Sequence, residues 1–145
     1  MTVKPVIEEG RYFLKCNGYP DRVADLSEGN VQPNTPVVGW EWSKADNQIW
    51  VLTSVNNFNL YYLQSASGDA YLGTSVVPTR WPRVTVQEHP QTWAIDPAGP
   101  GTHQVTLLFT DLRVSLPSEQ AGTQLVLQDD PAPLPHQCWR FERVS

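Results

Sequence analysis

Apolar and polar residues alternate in short runs along almost the whole chain. No stretch keeps the three-to-four-residue spacing of an amphipathic helix. In Tyr12-Phe13-Leu14-Lys15-Cys16 the odd members point one way and the even members the other, so Tyr12, Leu14 and Cys16 share a face. The runs are rich in Val, Thr, Leu, Tyr and Trp and are cut short by thirteen Pro and nine Gly. That is the pattern of short strands joined by turns. It predicts strands over 11–16, 22–26, 35–42 and 48–55, then 60–64, 70–72, 83–87 and 91–95, then 104–109, 112–115, 123–128 and 137–143. Asn17-Gly18 marks the first turn, and 27–34 reads as a polar loop.

The twelve strands fall into three groups of four, and a motif marks the fourth strand of each. Gln48-Ile49-Trp50, Gln91-Thr92-Trp93 and Gln137-Cys138-Trp139 repeat Gln-x-Trp at intervals of 43 and 46 residues. A regular period of this size marks units too small to bury a core alone. Trp50, Trp93 and Trp139 are therefore expected in one shared core, with each Gln satisfying turn backbone groups. Twelve short antiparallel strands must also hide their edges, and closing the sheet does so. The expected fold is all-β: a single β-trefoil domain over 1–145, with repeats at about 9–56, 57–99 and 100–145.

Charge and composition narrow the partners. The net charge is −5 and the ten Lys and Arg are scattered, whereas nucleic acid needs a concentrated basic surface. No apolar run approaches the roughly 20 residues needed to cross a bilayer, so membrane insertion is not expected. Residues 1–10 are polar and acidic with no apolar leader, which points to a cytoplasmic protein. Two cysteines are no disulfide framework, and strand alternation puts Cys16 and Cys138 on opposing faces, so both are expected as free thiols. His89, His103 and His136 lack metal-ligand spacing and read as surface or loop residues. Asp129-Asp130 reads as a solvated loop tip with too few oxygens for calcium. No metal, no cofactor and no catalytic motif are expected, so the chain reads as a binding protein rather than an enzyme.

Three Gln-x-Trp motifs in register over this length resemble the ricin B-like (R-type) lectins, in particular those of mushroom fruiting bodies. The resemblance covers residues 9–145 and implies binding of galactose, N-acetylgalactosamine or lactosamine-type glycans, with a role in fungal defence. A working repeat in that family has an Asp after the second strand, an aromatic at the end of the third, and an Asn before the Gln. The first repeat has all three, in Asp25, Trp40 and Asn47-Gln48. A carboxylate accepts from two vicinal hydroxyls at once, and charge-assisted bonds are the stronger kind. A flat aromatic covers the apolar face of the ring, Asn47 bonds a hydroxyl, and Gln48 braces the site. Trp42 shares a strand face with Trp40, and Trp40 is the expected platform. The second repeat has Pro90 in place of Asn and no acid near Tyr71-Leu72. Its Tyr71, Trp81 and His89 form a secondary option, for fucosylated chitobiose. The third repeat, with Ser115, Gln128 and His136, reads as inactive.

A different function class also fits the fold. Trefoil protease inhibitors act through rigid exposed loops, because a preorganised loop lowers the entropy cost of binding. Arg80 and Trp81 lie between Pro78 and Pro82, and residues 17–22 (NGYPDR) form a second rigid candidate. The expected partners are glycans, with a homodimer or a multivalent target compensating for one weak site per chain.

Overall fold

The computed structural model describes residues 4–75, 81–130 and 134–144. Twelve strands occur in chain order: β1 (Gly10–Cys16), β2 (Arg22–Leu26), β3 (Val37–Glu41), β4 (Trp50–Ser54), β5 (Leu60–Ser65), β6 (Tyr71–Thr74), β7 (Val84–Gln87), β8 (Trp93–Gly99), β9 (Thr102–Leu107), β10 (Arg113–Ser115), β11 (Val126–Gln128) and β12 (Trp139–Arg143). Strands β1, β4, β5, β8, β9 and β12 pair in a closed antiparallel ring, with β12 returning to β1 from Tyr12–Arg143 to Cys16–Trp139. The other six form three hairpins, β2–β3, β6–β7 and β10–β11. The hairpins cap one end of the barrel and touch one another through the bridges Pro36–Thr85, Val38–Gln124 and Arg83–Val126. This is the β-trefoil expected from the strand pattern.

The three Trp of the Gln-x-Trp motifs are completely buried, and they fill the core together with Leu14, Leu52, Leu63, Ile95 and Val105. A buried indole must also satisfy its N–H. Each does so in the same way, donating to the carbonyl of Ala24 (3.1 Å), Leu72 (2.9 Å) and Val114 (2.9 Å). These three bonds set the structural equivalence of the repeats. The residue after each acceptor is Asp25 in the first, Gly73 in the second and Ser115 in the third.

Local differences from the sequence reading lie mainly at strand starts. The third strand runs over Val37–Glu41 rather than 35–42, and β11 is shorter than 123–128. Gln48 and Gln137 end 3-10 turns (Asp46–Gln48 and Pro135–Gln137), so β4 and β12 begin at Trp instead of Gln. A Gln in that turn can fold its amide back onto backbone groups. Gln48, Gln91 and Gln137 accept from the N–H of Ser43 (2.9 Å), Thr74 (2.9 Å) and Leu134 (3.1 Å). Cys16 and Cys138 are both buried and free.

Candidate functional site

Alternation along β2 decides where Asp25 goes. Ala24 and Leu26 face the barrel core, so Val23 and Asp25, although themselves buried, lie on the opposite face of the hairpin. Across the hairpin Asp25 pairs with Val38, and Val23 with Trp40. Asp25, Val38 and Trp40 therefore share one outer surface, and with Ser27, Glu28, Asn47 and Gly122 they line a cavity of about 390 Å³. Trp40 is 47% exposed and Asp25 only 5%. The cavity thus has a carboxylate at its floor and an open indole as its wall.

The carboxylate is held by amides. Asn47 Nδ2 donates to Asp25 Oδ1 at 3.1 Å and to the Leu26 carbonyl at 3.0 Å. Gln48 Nε2 donates to Asp25 Oδ2 at 2.9 Å and to the Glu41 carbonyl at 2.8 Å. Both hydrogens of each amide are thereby used, and each carboxylate oxygen keeps a lone pair for a ligand. Toward a ligand, Asn47 is left with its carbonyl oxygen, an acceptor. Burial pushes the Asp25 carboxyl above the usual carboxylate range, and the bond from Gln48 pulls the other way. Neutral amides orient the group without supplying a positive charge.

The second and third repeats show what happens when the acid is missing. A Cβ at Gly73 would lie 2.5 Å from Gln91 Oε1, so the space that Asp25 uses in the first repeat is filled here by the Gln side chain itself. Tyr71 pairs with Gln87 as Val23 pairs with Trp40, so Gln87 holds the place of the platform. Trp81 is half-buried ahead of β7, and His89 lies exposed beyond it against Glu88 (3.1 Å). In the third repeat Arg113 pairs with Gln128, and Ser115 Oγ donates to Gln128 Oε1 at 2.6 Å. Gln137 Nε2 donates to the Asp130 carboxylate, and Arg113 Nη1 to the Asp130 carbonyl at 2.6 Å. Asp130 is therefore a partly buried acceptor for Gln137, not the solvated loop tip expected from sequence. His103 lies on a strand rather than in a loop: it sits half-buried on β9, edge-on to Phe141, with its Nδ1 buried and unpartnered.

Trp42 is clear of the Asp25 cavity. It packs edge-on against Phe13 at 5.4 Å, and Lys15 Nζ covers its ring at 3.5 Å. Of the two inhibitor candidates, Arg80 lies outside the described residues. The 17–22 loop is braced from the third repeat: Asn17 N–H donates to the Cys138 carbonyl at 2.8 Å and Arg22 Nε to the Glu119 carbonyl at 2.7 Å.

Sequence reasoning missed Ser27, Glu28, Val38 and Gly122. Val38 was available from alternation with Trp40. Ser27 and Glu28 lie in a 3-10 turn inside the predicted loop. Gly122 belongs to the third repeat and reaches the site because its N–H donates to the Gly39 carbonyl at 2.9 Å. No local signal predicts that pairing.

No protein-family model matches the chain. Among solved structures, the chain is similar to the Rhizoctonia solani agglutinin (22% identity, 95% of this chain and 97% of that one, TM-score 0.87). It is similar to the Macrolepiota procera ricin B-like lectin, solved in complex with lactose (23% identity, 99% and 100% covered, TM-score 0.81). It also resembles the C-terminal half of the earthworm R-type lectin, solved in complex with N-acetylgalactosamine (15% identity, 92% and 98% covered, TM-score 0.70). The fold of this chain is a β-trefoil like that of these lectins.

Proposed function

We propose that this protein is a lectin that binds a terminal galactose or N-acetylgalactosamine-type sugar in the first-repeat cavity without cleaving it. The observation that carries the reading is the Asp25 carboxylate, held by one amide on each oxygen and facing a cavity walled by a half-exposed Trp40. Such a carboxylate can accept from two neighbouring hydroxyls, while the indole covers the C–H face of the ring and the Asn47 carbonyl oxygen accepts a third hydroxyl. An apolar wall with a few fixed polar groups is the usual make-up of a small-ligand site. The sugars named with the similar lectins, lactose and N-acetylgalactosamine, are of this class.

Hydrolysis would need two carboxyl groups flanking the glycosidic bond, one of them free to give up a proton. Asp25 is tied on both oxygens, which suits an acceptor better than an acid or a nucleophile, and the other carboxyl group lining the cavity, Glu28, is exposed at its mouth rather than enclosed as a catalytic acid is. One shallow site per chain gives weak monosaccharide affinity, so useful binding would come from a homodimer or a glycan-dense surface. A glycan array with the labelled protein, competed with free galactose, tests the reading. Binding to galactose- or N-acetylgalactosamine-terminated glycans that galactose displaces is the expected result. A blank array would sink it, and binding confined to fucosylated chitobiose would move the site to the second repeat.

A further inference from the structure

The Asp25 cavity has a second carboxylate at its mouth. Glu28 lines it, is exposed, and belongs to the 3-10 turn Ser27–Gly29 that follows β2. Its backbone sits at φ 55°, ψ 17°, the left-handed region where a side chain with a Cβ costs energy that glycine avoids. The next residue, Gly29, also has φ 65°. A non-glycine residue in strained backbone beside a cavity directs attention to what its side chain does there. None of the described residues forms an ion pair with Glu28, and no Lys or Arg is among those lining the cavity. Asp25 is held by neutral amides alone. The cavity thus carries two negative charges and no compensating cation of its own.

We propose that Glu28 makes this cavity select its ligand by charge, so that neutral sugars enter and sugars bearing a carboxylate or sulfate are rejected. The inference rests on the sugar-binding reading above and adds a discriminating residue to it. In a cavity of about 390 Å³, an ionised group on the sugar ring stays near both carboxylates. Physiological salt screens charge over about 8 Å, so the repulsion survives in part. One or two unit charges several ångströms away in a water-like medium weaken binding by about threefold to tenfold. Like-charge juxtaposition of this kind discriminates by penalising the wrong ligand and need not improve the right one.

The test compares methyl galactoside, the corresponding galacturonic acid glycoside, and the methyl ester of that acid, by calorimetric or fluorescence titration. Acid and ester place nearly the same atoms in the cavity and differ in charge. The expected result is that the ester binds about threefold to tenfold better than the acid, and that added sodium chloride narrows the gap. Glu28→Gln should narrow the acid-to-ester ratio within that variant, whatever it does to absolute affinity. Glu28→Lys should close the gap or reverse it. Equal binding of acid and ester by the native protein overturns the proposal, as does a ratio that both variants leave unchanged. Failure of all three ligands to bind would remove the sugar-binding reading itself, and this inference with it.

Discussion

Replacing Asp25 with Ala separates a binding role from a structural one, because the structure shows what each neighbour would retain. Asn47 Nδ2 would lose Asp25 Oδ1 and keep the Leu26 carbonyl; Gln48 Nε2 would lose Asp25 Oδ2 and keep the Glu41 carbonyl. Two amide hydrogens are left without partners. An unsatisfied buried donor costs about 1–3 kcal/mol, but the vacated space adjoins an open cavity from which water can reach both. The substitution also removes a carboxylate whose ionised form burial disfavours, which offsets part of the loss. The balance is a destabilisation of about 1–2 kcal/mol, or a fall in melting temperature of roughly 3–8 °C for a chain of this size. Galactose binding, by contrast, should disappear altogether. Urea titration and calorimetry of the native and variant proteins give both numbers. A stability loss above about 4 kcal/mol would mean that the carboxylate is chiefly a structural acceptor. Galactose affinity retained within a few-fold would mean that the sugar sits elsewhere.

Other consequences follow from the same geometry. With Asp25 accepting the sugar hydroxyls as proposed, binding would need its ionised form, so affinity should fall on acidification with a midpoint above the ordinary Asp value, because burial raises this group; a titration of affinity from pH 7 down to about pH 3 reads the midpoint, and one at or below the ordinary value would contradict the burial argument. The half-buried His103 works on stability instead: its pKa is lowered by partial burial, so the folded state takes up a proton less readily than the unfolded chain, and stability is lost as pH falls below the unfolded value of about 6.5. The urea midpoint should therefore drop between pH 7.5 and 5.5, and His103→Phe should flatten that slope. Gly73→Asp should not create a second site, because its Cβ would displace Gln91 and strip the Thr74 N–H of its acceptor, at a cost of about 1–3 kcal/mol seen as a lower melting temperature; unchanged stability would show that Gln91 has another place to go.

The barrel was legible in the sequence because it is written three times. Each Gln-x-Trp fixes a buried indole and a braced turn, and the alternation between motifs supplies the strands. Asp25, Trp40, Asn47 and Gln48 were legible for a related reason, since all four belong to one repeat: the local hairpin fixes the register of Asp25 and Trp40, and the turn that follows it carries Asn47 and Gln48. What escaped was non-local or depended on backbone conformation. Gly122 reaches Trp40 through a bridge between repeats, and a Cβ there would sit 3.6 Å from the indole. Glu28 was hidden in a polar loop whose left-handed turn leaves no mark in a run of polar residues. Asp130 looked like a solvated acid because its partner, Gln137, lies beyond a Pro-rich segment. The equivalence of Gln87 with Trp40 required the β6–β7 pairing, while the sequence alone drew the eye to the nearest Trp.

The pairing of β1 with β12 has a consequence for biosynthesis. Every other neighbour of β1 is made soon after it, but the partner that closes the ring leaves the ribosome only when Trp139–Arg143 has been synthesised. Until then β1 and β9 each present an unpaired edge, which is the feature that invites pairing with another chain. Topologies dominated by such distant pairings also fold slowly, because loop closure must be completed before the contacts that reward it. Nascent chains stalled before β12 should therefore be the aggregation-prone species of this protein, held in check by chaperones rather than by their own packing.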